Sequence, residues 1–287
     1  MSTPRVWFIT GSSSGFGRSL TELVLKNGDI AIATLRKPDA LKDLSDKYPK
    51  ERLLVLKLDV SKPAEIEHAF SDAEKAFGRI DVVFNNAAYG VLGEIEGTPE
   101  DVARAMFDVV FWGAANVSRA AVRFFREVNK PGVGGLLLQV SSMAAYDGLP
   151  GVGYYSASKA ALQAFSEALS KELDPTWKIQ VVVISPGGFE TQGTKSSLVQ
   201  TPPHPAYANP ALPTTGFRAY IDSNPRLKGD ANKATQAIFN LVTQRKKLPF
   251  DLPLGKDAIA GARAKNAKFE NDVNDSVEWS ENLEFED

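Results

Sequence analysis

The amino-acid sequence predicts an α/β fold: a doubly wound, open parallel sheet of about seven strands with helices on both faces. Three observations predict it. Short apolar runs alternate with longer amphipathic stretches through most of the chain, which implies right-handed strand-helix-strand crossovers. A glycine-rich turn joins the first run to the first amphipathic stretch. The composition, 43% hydrophobic and 24% charged over 287 residues, is that of a globular protein able to fill one core of this size.

Taken in order, residues 6–10 form the first buried strand, and Thr10-Gly11-Ser12-Ser13-Ser14-Gly15-Phe16-Gly17 turns it into a helix over 16–27. Strands follow at 30–35, 53–58, 82–84, 135–140 and 179–184, all continuous apolar runs suited to a sheet covered on both faces. Helical periodicity fills the spaces between them at 39–48, 63–77, 100–128 and 153–173. Residues 189–229 break the rhythm, because prolines at 202, 203, 205, 210, 213 and 225 interrupt any helix. A loop of that length in a compact domain is read as the substrate loop. A helix at 230–244, a last strand at 248–254 and a helix at 256–269 complete the pattern, and 270–287 reads as an acidic, solvated tail. The expected division is a single dinucleotide-binding and catalytic domain over 1–255, with a C-terminal helix and tail over 256–287.

Several function classes are excluded by composition. A formal net charge of −2 without a long basic run argues against nucleic acid and anionic membrane surfaces as partners. The chain has no cysteine, which removes disulfides, thiolate metal sites and cysteine nucleophiles and fits a reducing, cytoplasmic setting. Its two histidines, His68 and His204, have no second ligand at metal-binding spacing, so no metal is expected. No apolar stretch approaches the roughly 18 residues of a spanning helix, and the run before the glycine turn is too short for a signal peptide. The expected partner is a small molecule.

Gly11, Gly15 and Gly17 follow a strand and open a helix. Without side chains they allow a tight turn and the close approach of a pyrophosphate, which the helix N-terminus stabilises; Ser12, Ser13 and Ser14 add hydroxyl donors. At the end of the second strand stands Arg36, where an NAD site would place an acid for the ribose hydroxyls. A guanidinium can meet a 2′-phosphate with two parallel hydrogen bonds, so NADP(H) is the expected cofactor. Asp59 and Val60 end the third strand and Asn85-Asn86-Ala87-Ala88 the fourth. Asp59 suits an adenine amino group, and Asn86 with Ala87 suits the ribose; each is also an ordinary strand-ending residue type.

The chemistry resides in Tyr155 and Lys159, four apart on one helical face, with Ser142 upstream. A cation beside a phenol favours the phenolate, so that Tyr155 can exchange a proton with a carbonyl or alcohol oxygen that Ser142 also hydrogen-bonds.

Over residues 5–191 these motifs, with Pro186-Gly187, resemble the short-chain dehydrogenase/reductase family and its Rossmann sheet. The resemblance extends, through Gly229-Asp230-xx-Lys233-Ala234 and Leu252-Pro253-Leu254-Gly255, to a subgroup with hydroxysteroid dehydrogenases and fungal carbonyl reductases. It implies that Tyr155 is the general acid/base, that Lys159 lowers its pKa and binds the nicotinamide ribose, and that Ser142 orients the substrate. It also implies that Phe189 and Thr191 lie beside the nicotinamide, and that relatives pair as dimers or tetramers through the helices at 100–128 and 153–173. One position departs from the family. The family asparagine that bends the helix and holds a proton-relay water is replaced by Val110. Asn116, roughly 240° around and about 9 Å along a helix, cannot substitute.

Met143, Tyr146, Val152, Phe189 and Tyr207 are the candidate substrate contacts, mostly apolar or aromatic, which points to an uncharged, hydrophobic ketone or aldehyde. The expected activity is NADPH-dependent carbonyl reduction. The alternatives are an NADP(H)-binding sensor or scaffold with weak turnover because of Val110, and an NADP-dependent alcohol dehydrogenase running oxidatively.

Overall fold

The computed structural model describes residues 3–191, 197–244, 247–281 and 283–285. In chain order the sheet-forming strands are β1 (Val6–Thr10), β2 (Ile30–Leu35), β3 (Leu53–Lys57), β4 (Val82–Asn85), β5 (Gly90–Leu92), β6 (Gly135–Val140), β7 (Ile179–Pro186), β8 (Phe189–Glu190), β9 (Leu198–Gln200), β10 (Gly229–Asp230) and β11 (Asp251–Leu254). Seven of them form one parallel sheet in the order β11-β7-β6-β4-β1-β2-β3. The order reverses between β1 and β4, so a cleft opens at their carboxyl ends. Gly11 and Asn86 lie there.

Alternate residues of β1 supply both cores. Trp7 and Ile9 face one side, where Trp7 stacks on Phe239 with ring centroids 5.7 Å apart. Val6 and Phe8 face the other, where Phe8 stacks on Phe70 at 4.4 Å. Helices α1 (Gly15–Lys26) and α8 (Ala231–Thr243) cover the first face, and α3 (Pro63–Phe77), α5 (Ala114–Glu127) and α6 (Gly153–Glu172) the second.

Four elements differ from the sequence expectation. The helix expected at 39–48 begins as a 3-10 turn, Pro38–Leu41, and only then becomes α2 (Lys42–Lys47). The one expected at 100–128 is three pieces: α4 (Glu100–Phe107), a π-helical turn at Asp108–Gly113, and α5. Its cause is packing, since a Cβ on Gly113 would lie 2.8 Å from Val60 Cγ2 and 2.9 Å from the Val60 carbonyl oxygen. The widened turn therefore persists although Val110 replaces the asparagine that the family places there.

The third difference is order within the 189–229 segment. Strand β8 pairs with β10, β9 pairs with β5, and α7 (Pro213–Asp222) is helical. Pro213 sits in the first turn of α7, where its missing N–H costs nothing, so it starts a helix rather than interrupting one. Finally, the last sheet strand spans only Asp251–Leu254, and α9 (Lys256–Asp275) runs on through much of the expected tail to a short 3-10 turn at Val277–Ser280. Residues 282 and 286–287 of that tail lie outside the described residues.

Candidate active site

The glycine turn is shaped by its own packing. A Cβ on Gly17 would lie 2.2 Å from the Gly11 carbonyl oxygen, so only glycine lets α1 start so close to the turn. Gly11 adopts φ +68° and Gly15 φ +55°, in the left-handed region that disfavours side chains. Ser12, expected with Ser13 and Ser14 to offer a hydroxyl to the ligand, is turned inward instead, its hydroxyl donating to the Ile9 carbonyl at 3.0 Å. Ser13, Ser14 and Gly15 line an open cleft of about 920 Å³, with Thr191, Arg226, Lys228 and Asn232 on its far wall.

Thr10, which sequence reasoning passed over, organises the end of β4. Its hydroxyl oxygen accepts the Asn86 N–H at 2.8 Å and the Ala87 N–H at 3.0 Å, while Asn86 Nδ2 donates to the Thr10 carbonyl at 3.0 Å. At the end of β2, Arg36 is exposed and close enough to Asp59 and Tyr89 to act on both electrostatically. Burial pushes the Asp59 carboxyl up, but the Ser61 hydroxyl and N–H, with Lys62 and Arg36, outweigh it and hold the group below the usual range. Burial likewise raises Tyr89, against the opposing influence of Arg36. Tyr89 directly follows the Asn85-to-Ala88 motif, and that adjacency was its only signal in the sequence. Val60 is buried against Gly113 and holds the π turn.

Ser142, Tyr155 and Lys159 come together where β6 ends and α6 begins. Ser142 caps the 3-10 turn Met143–Ala145, accepting the Ala144 N–H at 3.2 Å, and its hydroxyl lies near enough to the Tyr155 phenol to act on it. Lys159 is 2% exposed, donates from Nζ to the Val140 carbonyl at 2.7 Å, and lies 5.8 Å from the centre of the Tyr155 ring. Without a solvent shell the ammonium is hard to sustain, and burial lowers the Lys159 pKa to about 7. Tyr155 moves the other way: burial raises it, and the Ser142 hydroxyl opposes the rise. The Lys159 ammonium lies over the face of the ring, and the net direction of the phenol's shift is set by burial. Val110 packs in an apolar cluster with Val91 and Met106, against which Tyr154 and Tyr155 rest.

Beyond β7, Pro186 and Gly187 turn the chain, and Asp257 at the start of α9 accepts the Gly188 N–H at 2.7 Å. Phe189 packs edge-on against Phe16, 5.5 Å between centroids, and Thr191 lies against Gly15. Among the candidate substrate contacts, Met143 adjoins Ser142, and Val152, which precedes α6, bridges to Gly93. The Tyr146 hydroxyl is buried near Ser185, and neither oxygen meets a well-formed hydrogen bond among the described residues. The Tyr207 hydroxyl donates to Glu96 at 3.0 Å, and its ring lines a separate cavity of about 530 Å³, with Ile95, Leu149 and Ala157. Neither Ser142 nor Tyr155 lines that cavity.

The 189–229 segment is fastened down by a buried ion pair. Arg218 on α7 donates Nε to Glu94 Oε1 at 3.0 Å and Nη2 to Oε2 at 2.8 Å, and its Nη1 reaches the Thr201 carbonyl at 2.9 Å. The partners stand 124 positions apart, which left no local signal of the pair in the sequence.

A glycine turn at the switch point of a parallel sheet, with a serine, a tyrosine and a lysine gathered where β6 ends and α6 begins, marks a class of oxidoreductases. The chain belongs to the short-chain dehydrogenase/reductase family: the short chain dehydrogenase profile matches residues 5–201. An uncharacterised oxidoreductase of Schizosaccharomyces pombe is 34% identical over 97% of this chain and 91% of its own length. A solved short-chain dehydrogenase from Streptomyces avermitilis superposes with a TM-score of 0.88 at 31% identity, covering 99% of this chain and 100% of that one. Two further structures share the fold at 22% identity: one from Burkholderia phymatum in complex with NAD (TM-score 0.79, covering 94% of this chain and 95% of that one), and one from Burkholderia cenocepacia in complex with NADP (0.71, covering 96% and 98%). Among the described residues no helix is long and apolar enough to cross a membrane.

Proposed function

We propose that the protein is an NADPH-dependent reductase of an uncharged, hydrophobic ketone or aldehyde, with Tyr155 as general acid. The observation that carries this reading is the convergence of the Ser142 hydroxyl, the Tyr155 phenol and the Lys159 ammonium at one end of α6. The residues present fit the cofactor: the turn of Gly11, Gly15 and Gly17 opens α1 onto a cleft whose lining includes Ser13, Ser14 and Thr191. Arg36, exposed at the end of β2, suits a 2′-phosphate. Phe16, Asn86, Ala87, Pro186, Gly187 and Phe189 frame the rest, with Asp59 and Val60 at the adenine end.

Reduced nicotinamide supplies the hydride when bound. Ser142 donates a hydrogen bond to the carbonyl oxygen, and Tyr155 gives that oxygen its proton, leaving a phenolate that the Lys159 ammonium stabilises. Met143, Val152 and Phe189 offer an apolar surround. The test is cofactor-dependent turnover across aldehydes and ketones, with Tyr155→Phe expected to lose it by at least about 100-fold while NADPH still binds. Full activity in that variant would remove Tyr155 from the mechanism. Arg36→Asp should shift preference toward NADH, and an unchanged ratio of the two cofactors would take Arg36 out of the argument.

Val110 favours a second reading, in which NADP(H) binds but turnover is slow because the proton relay lacks its asparagine. Tight NADPH binding without oxidation on any substrate, and recovery in Val110→Asn, would select it. Whether the same site runs oxidatively on an alcohol depends on the cofactor ratio supplied.

A further inference from the structure

Helix α9 is anchored only at its first turn, where Ala258 is its one buried residue. Beyond that turn apolar side chains stand in solvent: Ile259 is 42% exposed, Phe269 64% and Val273 45%, and Val277 and Trp279 are exposed in the 3-10 turn that follows. The series has a period. Within α9, Ile259, Ala262, Asn266, Phe269 and Val273 recur at alternating intervals of three and four, the spacing of a two-helix coiled-coil seam.

The charges beside the seam are sorted. Arg263 and Glu270 flank it on one side and Lys265 and Asp272 on the other, each acid seven residues after its base. The base-first, acid-last order opposes the helix macrodipole, and the last turn of α9 holds no base. No ion pair within α9 uses these four groups among the described residues. A solitary helix gains nothing from this pattern.

We propose that α9 is a self-association surface that pairs antiparallel with α9 of a second copy. In that register Ala262 meets the partner's Val273, and Asn266 the partner's Phe269. Arg263 then faces the partner's Glu270, and Lys265 the partner's Asp272. Two-fold symmetry repeats each contact, giving four attractions. A parallel pair keeps only the contact of Lys265 with the partner's Glu270 and its symmetry mate, and brings both domains to one end. A membrane surface is the poorer occupant, because every charge after Lys268 is acidic and anionic lipid repels it.

The chain has no cysteine, so introduced ones report cleanly. Asn266→Cys and Phe269→Cys chains, mixed and mildly oxidised, should form a disulfide dimer well above the level of either chain alone. Sedimentation of the full chain supplies the second arm. Reversal of one half, Arg263→Glu with Lys265→Glu, should weaken this association by on the order of tenfold or more. An equimolar mixture with Glu270→Lys/Asp272→Lys chains should restore it. Stronger cross-linking of Asn266→Cys with itself means a parallel pair and overturns the proposal. So does association indifferent to both charge reversals, or a chain that stays monomeric at tens of micromolar, which would leave α9 solitary or bound to a different protein.

Discussion

At Lys159 two demands conflict. The side chain must be buried to lie over Tyr155, yet burial removes the water that sustains its charge, and its pKa falls from 10.5 to about 7. Between those values the unfolded chain carries a proton on this lysine that the folded chain has released, so this group makes stability rise with pH. Urea midpoints measured from pH 7 to pH 10 should therefore climb for the native chain relative to Lys159→Met. A difference that stays flat or falls across that window would show that the ammonium is not desolvated. Residues of this kind were legible in the sequence because their geometry is local, four positions on one helix. Ser12 and Tyr207 were not, since their orientation is set by a backbone carbonyl and by Glu96 on another element.

Glu94 and Arg218 show how a catalytic scaffold holds its most irregular segment. Their side chains are 2% and 8% exposed yet lie just beneath the surface, and the guanidinium holds the Glu94 carboxyl down at about 2. Glu94→Gln leaves a buried cation unpartnered and should cost about 3 kcal/mol, the lower end for such breaks because water is near. Since the folded pKa is depressed from 4.5, the native advantage is complete above that value and disappears as pH falls through about 2. Thermal midpoints of the native chain and Glu94→Gln should thus converge in that window. A constant gap would deny the ion pair its role. The same scale marks where pattern reading stopped: prolines in 189–229 hid α7, and periodicity ran unbroken through the π turn, which depends on Gly113 meeting Val60.

Across the molecule, the parallel sheet was readable because strands buried on both faces are continuous apolar runs, and the glycine turn fixed where the ligand cleft opens. The paired mini-strands β5–β9 and β8–β10 were not, being two or three residues long and joined across far larger separations. They tie the 189–229 segment to the cleft from both ends. A dinucleotide bound there would favour the folded state by about 2.7 kcal/mol at 100 times its dissociation constant. NADPH should raise the melting temperature more than NADH at equal concentration, and an equal shift would argue against discrimination by Arg36. The Asp257 carboxylate that grips Gly188 places the first turn of α9 against the turn that follows β7. Trimming the chain back to its final strand would unfasten that corner, whereas a reporter fused after Ser280 would leave it latched.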